Sequence, residues 1–365
     1  MKLKHLDIGK RKRRRNDLNL CMSRYKYQFC FFILITLAIS FCKNKKADSE
    51  TPVSVVEMNP AYKTLNDSIR QFPEDASLYL RRAIRLTQEN AHELAYDDFH
   101  KAWTLQPSLQ NALPYAANLS ILGKNGERIS LLEKVYHDNP ANTQTGRLLA
   151  EAYAGFGKPD QALVIYDNML SKDSLDPETL YEKAIIMEQL KDTAGAIKAL
   201  QKAYAAQGVD TYGLELAHLY AEQKNPKSLQ ICDFILRQDS ALILIDPFFI
   251  KGIYYANVKL YPKAISQFDS CISRDWKTTD AYLEKGRAFF QMGNFNVAMQ
   301  TFNMAITVSN TDPDAYFWLG RSYEAVHKKT EAVNNYRKAI SLDKDFIEAR
   351  QRMDLLERGF AHPSH

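Results

Sequence analysis

Tyr316-Phe317-Trp318-Leu319-Gly320-Arg321-Ser322-Tyr323, followed by Ala332, Tyr336 and Ala339, sets the reading of the whole chain. Set back by 34 residues, Tyr282, Gly286, Phe289, Ala298, Phe302 and Ala305 repeat the pattern. One further step of 34 gives Phe248, Gly252, Tyr255, Ala264, Phe268 and Cys271. A period of this length, with a small residue between aromatics and then Ala-x-x-x-aromatic, describes a pair of helices joined by a tight turn. Such a pair cannot bury its apolar face alone, so copies stack into an all-α solenoid.

Each place in the pattern has a physical reason. A Gly on the first helix and an Ala on the second allow the two helices to approach closely, where a larger side chain would force them apart. The aromatics fill the space between successive helices and bury large apolar area. Asp176-Pro177, Asp246-Pro247 and Asp312-Pro313 each read as an N-cap followed by the first helical turn.

Fainter copies extend the array toward the N-terminus. Residues 177–209 give Ala184, Ala196, Leu200 and Ala203; residues 143–176 give Leu149, Ala150, Tyr153, Gly157, Ala162 and Tyr166. Residues 76–108 give Tyr79, Ala83, Ala95, Phe99, Ala102 and Pro107. The copy at 109–142 places Arg128 where a small residue is usual, and the copy at 210–244 keeps only Ala217, Tyr220 and Ser228. Its ending, Leu242-Ile243-Leu244-Ile245, is apolar where a short polar turn is usual. Either these residues pack into a displaced junction, or they mark a break between 76–209 and 245–346.

This pattern resembles the tetratricopeptide repeat family, over about three-quarters of the chain. The resemblance implies a right-handed superhelix of helix–turn–helix repeats whose first helices line a concave groove. The organisation it implies is an N-terminal capping helix at 60–75, eight repeats at 76–346, and a C-terminal capping helix and tail at 347–365. In the capping helix Ala61, Leu65, Ile69 and Pro73 are in phase. Carried onto this sequence, the groove places are Leu80, Ile84, Leu113, Arg147, Glu151, Tyr181, Ile185, Phe249, Ile253, Leu283, Arg287, Phe290, Phe317 and Arg321. Many are apolar, and a contiguous exposed apolar strip marks a partner site. Phe249, Phe290 and Phe317 beside Arg287 and Arg321 suit a peptide with apolar anchors and a carboxylate. The family's carboxylate clamp for chaperone tails needs Lys and Asn on successive first helices. Here those places hold Leu80 and Ile84, Tyr181 and Ile185, and Phe249 and Ile253, which disfavours that ligand.

The N-terminus is of a different character. The chain carries 48 Lys and Arg against 43 Asp and Glu, yet residues 1–27 alone hold ten basic and two acidic residues and residues 28–41 none. From position 42 onward the balance is 38 basic to 41 acidic, a net of −3, so the repeats offer no positive field for nucleic acid. Basic residues followed by the apolar run Phe29–Cys42 read as a targeting segment at 1–42, with a polar linker at 43–59 and a start at Met22 as an alternative. At fourteen residues the run is short for a bilayer span, which takes about 20. Ile39-Ser40-Phe41-Cys42 resembles a bacterial lipobox, which implies lipidation at Cys42 and an outer-membrane lipoprotein of the bacterial cell envelope. Phe41 stands where that motif has a small residue, so an uncleaved signal anchor stays open.

Catalysis leaves no signature. There is no phosphate-binding Gly-Lys-Ser/Thr loop and no His-Glu-x-x-His, and His92, Glu93, Asp97, Asp98 and His100 read as one solvated helix surface. Cys232 and Cys271 fall at apolar spacing and read as small buried hydrophobes. The expectation is a non-enzymatic, membrane-anchored scaffold with no cofactor and no metal, binding a protein or peptide. A regulatory subunit of an envelope enzyme stays open, as does capture of a glycan or small ligand. The three Trp residues do not cluster in the sequence.

Overall fold

The computed structural model describes residues 59–241 and 243–358. The expected signal segment, Cys42, nearly all of the linker and the tail lie outside the described residues. Within them, a 3₁₀ turn (Pro60–Tyr62) leads into α1 (Lys63–Gln71), and helix hairpins follow. These are α2 (Ala76–Gln88) with α3 (His92–Leu105), α4 (Leu109–Ile121) with α5 (Asn125–Asp138), α6 (Thr143–Gly155) with α7 (Pro159–Lys172), and α8 (Pro177–Gln189) with α9 (Thr193–Ala206). Next come α10 (Asp210–Glu222) with α11 (Lys227–Gln238), α12 (Asp246–Asn257) with α13 (Tyr261–Arg274), α14 (Thr279–Gln291) with α15 (Phe295–Val308), and α16 (Pro313–Ala325) with α17 (Lys329–Leu342). The lone helix α18 (Ile347–Arg358) closes the series. The fold is an all-α solenoid of helix–turn–helix repeats.

The chain divides into two compact units, the first ending at Gly208 and the second beginning at Val209. In the first, Tyr62 and residues of α2 to α8 share a core that includes Phe99, Tyr115, Leu132, Leu149 and Tyr166. In the second, the last three hairpins each close on the ring of their second helix. A Cβ at Gly252 would stand 2.4 Å from Phe268, one at Gly286 2.5 Å from Phe302, and one at Gly320 2.8 Å from Tyr336. Those distances are below any carbon–carbon contact, so only Gly admits the rings at these places.

Every hairpin turns through one residue with positive φ: Asn90, Gly123, Gly157, Lys191, Lys224, Lys259, Gly293 and His327. The left-handed conformation ends the first helix and lets the second start at once. Lysines on first helices then tie three hairpins to the second helix before them: Lys183 to Asp167, Lys251 to Asp233 at 2.6 Å, and Lys285 to Asp269 at 2.6 Å.

Several sequence expectations are corrected here. The buried face of α1 is Tyr62, Asn66 and Ile69, with Ala61 exposed and Leu65 half-buried. Asn66 turns inward because its carbonyl accepts from Arg82 at 2.9 Å. Asp98 is buried rather than solvated, and Arg82 grips both of its oxygens at 2.6 Å. Burial pushes the Asp98 carboxyl upward against the pull of Arg82. Asp176 and Asp312 cap their helices, but Asp246 does not; it is the first residue of α12. Asp239 has already fixed that junction by accepting from the backbone N–H groups of Ile243 and Leu244, at 3.2 and 2.9 Å. Leu244 and Ile245 pack on the α12 core while Ile243 stays exposed, and the unit boundary falls before α10 rather than at this junction. Arg128 enters a small-residue place because its guanidinium reaches past the core to Glu151 at 3.3 Å. Cys232 and Cys271 are fully buried, and burial pushes the Cys232 thiol up to about 12.

Candidate functional site

The first-helix places expected to line a groove separate into two groups. Leu80, Phe249, Ile253 and Phe317 are only 5, 6, 3 and 3 % exposed, which corrects the expectation that they face a partner. Their helix positions point at neighbouring helices: Phe249 packs on Phe268 at 5.7 Å between ring centres, and Phe317 on Phe346 at 4.9 Å. Ile84 is exposed, while Tyr181, Ile185, Arg287, Phe290 and Arg321 are half-buried.

In the second unit four of these places meet, together with residues the sequence reading passed over. Trp318 lies one residue beyond Phe317, about 100° further round α16, and so turns out of the core. Phe290 from α14 meets its ring edge-on at 5.4 Å, and Phe295 at the start of α15 meets Phe290 at 5.2 Å. Arg287 stacks over Trp318 at 5.0 Å, and Arg321 lies 5.6 Å from Phe290, 5.6 Å from Trp318 and 5.9 Å from Phe317. Trp318 is therefore the centre of an aromatic cluster built with phenylalanines rather than with the other two tryptophans. Its signal was present in the spacing: Trp318 and Arg321 are three apart, on one face of a helix.

The arginines are held from behind. Glu284, itself buried, accepts from Arg287 at 2.7 Å, and Glu348 on α18 lies 3.5 Å from Arg321. Burial lowers the pKa of Arg321 below its ordinary value. A guanidinium stays charged in any case, so this marks a desolvated cation that gains from a further anion. Glu324 binds Arg352 at 3.0 Å and the Tyr336 hydroxyl, and its charge also acts on Arg321. The arrangement offers two cations lying over rings that meet edge-on, suited to an apolar group and an anionic oxygen side by side.

The first unit presents a different face. Arg147 on α6 is enclosed by Asp176 at 3.0 Å, by Glu178, and by Glu182 at 3.9 Å. Its charge is spent on α8, which leaves Tyr181 and Ile185 flanked by carboxylates. Burial pushes the Glu182 carboxyl up to about 7, opposed by Arg147 and reinforced by Glu178. Among the described residues no group of three or more His, Cys, Asp or Glu side chains is placed to hold a metal ion, and no helix is long and apolar enough to cross a membrane.

The repeat geometry agrees with what the chain resembles. Family descriptions of the tetratricopeptide repeat match residues 147–210 and 313–346, and a TPR repeat description matches 286–326. The chain is a tetratricopeptide-repeat protein. The matched stretches include α6 to α9 and the hairpins that carry Arg287, Phe290, Trp318 and Arg321. Among solved tetratricopeptide-repeat structures, one from Parabacteroides merdae ATCC 43184 is 16% identical, with 77% of this chain and 98% of that one covered and a TM-score of 0.49. PilW, a type IV pilus biogenesis factor, is 15% identical, with 57% and 96% covered and a TM-score of 0.50. At these identities the likeness is one of fold.

Proposed function

We propose that this tetratricopeptide-repeat protein is a non-enzymatic scaffold that binds a protein or peptide partner on the first-helix face of α14 and α16. The observation that carries this reading is the cluster of Arg287, Phe290, Trp318 and Arg321. Rings and guanidinium groups packed at 5.0 to 5.6 Å form a preordered surface in which little side-chain freedom remains to be lost on binding. Trp and Arg are also the residue types that dominate protein-binding hot spots. The partner segment that fits carries an apolar or aromatic side chain beside a carboxylate. Phe317 supports the face from within and does not touch the partner.

The scaffold works at a membrane of the bacterial cell envelope, tethered through the N-terminal segment by lipid at Cys42. The support for this part is the order of basic lead, apolar run and lipobox-like ending. Palmitate labelling of the full chain, with and without Cys42→Ser, tests it; label that persists in the variant refutes lipidation at that sulfur.

The binding face is tested by recovering partners from the parent cell envelope with the full chain and with Arg287→Ala/Trp318→Ala. The double variant loses the partners that the unaltered chain retains. Recovery of the same partners in the same amounts by both refutes this face as the site.

A further inference from the structure

The second unit has two edges of opposite charge. First helices run one way and second helices the other, so the turns inside hairpins lie on one edge and the loops between hairpins on the other. The loop edge is acidic: Asp239, Asp246, Asp275, Asp280, Asp312, Asp314, Asp343, Asp345 and Glu348 outnumber Arg237, Arg274, Lys277, Lys344 and Arg350. Helix starts need carboxylates, and Asp239, Asp275, Asp312 and Asp343 all accept backbone N–H groups there. The turn edge is basic. Lys224 and Lys227 flank the first turn, Lys259 and Lys263 the second, and Lys328 and Lys329 the fourth, against Glu222 and Glu331.

Two features separate these lysines from ordinary surface charge. Lys251 and Lys285, within the helices, are tied to aspartates, whereas Lys224, Lys259 and Lys328 sit at the turn tips and are exposed. Between them project apolar side chains: Leu260 at 45 % exposed, Met292 at 41 % and Val297 at 40 %. They stand at two successive turns, Leu260 at the second and Met292 and Val297 at the third, rather than pooled in a pocket, which is unlike a protein hot spot. A row of projecting apolar tips among lysines matches a flat anionic lipid surface, where the tips enter the headgroup layer and the ammonium groups meet phosphates. The first unit lacks this edge, since Glu89, Glu93, Glu127, Asp160 and Asp192 offset Lys124, Lys158 and Lys191.

We infer that the hairpin-turn edge of the second unit lies on an anionic lipid surface, with the acidic loop edge turned away from it. The tether at Cys42 is not needed for this contact, although a tether would favour it. The test is hydrogen exchange on the full chain with phosphatidylcholine vesicles, with and without phosphatidylglycerol, and with soluble polyglutamate. Residues 257–263, 291–297 and 325–331 gain protection on the anionic vesicles alone, and 275–280 and 309–314 do not. Lys224→Gln/Lys259→Gln/Lys328→Gln lowers the ratio of lipid-bound to free second unit by about 100-fold, taking roughly fivefold per lysine. Unchanged exchange in the interiors of α12 and α16 verifies that the variant is folded. Equal exchange with both vesicle types overturns the inference, as does protection by polyglutamate without protection by vesicles. Protection that persists in Cys42→Ser upholds it even where the palmitate label shows no lipid at that sulfur.

Discussion

Gly286→Ala adds one methyl group at the tightest kind of place in this fold, and the structure fixes the sign of its effect. The new Cβ would stand 2.5, 2.7 and 2.9 Å from three carbons of the Phe302 ring, which is fully buried. Carbon atoms pack best at about 3.5–4 Å, so ring and helix must separate by roughly 1 Å. Overpacking of that kind costs about 1–3 kcal/mol, set against about 1 kcal/mol gained from Ala in a helix. The expected result is a net loss of about 1 kcal/mol, and for a unit of this size roughly 2–4 °C in melting temperature. Gly126→Ala is the control. Its Cβ meets nothing within 4 Å, so the same substitution stabilises there by up to about 1 kcal/mol. Phe302→Leu in the Gly286→Ala background relieves the clash, so the double variant is less destabilised than the sum of the singles. Thermal melts and urea titrations of the four proteins decide the matter. If Gly286→Ala stabilises as Gly126→Ala does, the close approach is not what selects glycine.

Three further outcomes follow from particular contacts. Arg82→Met leaves Asp98 charged and buried without its partner, and urea titration finds a loss of about 3–5 kcal/mol; Arg82→Met/Asp98→Leu recovers most of it. Glu182 has a folded value of about 7 against an ordinary 4.5, so the folded state holds a proton that the unfolded chain has released across that window. Stability therefore falls as pH rises from 4.5 to 7, by about 2 kcal/mol after allowance for partial exposure, and Glu182→Gln flattens the profile measured by denaturation at a series of pH values. Lys191→Gly and His327→Gly relieve side chains held at φ of 65° and 61°, and each raises the melting temperature by an amount worth up to about 1 kcal/mol.

What the sequence made legible were the contacts that recur. Gly252, Gly286 and Gly320 repeat at the spacing of Phe268, Phe302 and Tyr336 because each Gly receives the ring 16 residues on, within one hairpin. Contacts that occur once left no such trace. Arg82, Asp98 and Asn66 come from three helices, and nothing periodic announces that they meet. The candidate site fell between these cases. The places of Arg287, Phe290 and Arg321 followed from the repeat, but Phe317 and Trp318 differ by one step round the helix. Which of two adjacent aromatics faces out depends on how α18 and Phe346 close over α16. Asp246 was misread for a related reason: Asp239, seven residues earlier, had already set the junction.

The claim at the centre of this account is that partners bind on the face of α14 and α16 around Trp318. A photo-crosslinking amino acid at Phe290 tests it most directly, compared with one at Met304, which is 49 % exposed on the second helix α15. A discrete adduct is expected from position 290 in the parent cell, lost when Arg287→Ala and Arg321→Ala are added, and none from position 304. Adducts of equal yield from both positions, or an adduct at 290 indifferent to the two arginines, would contradict it.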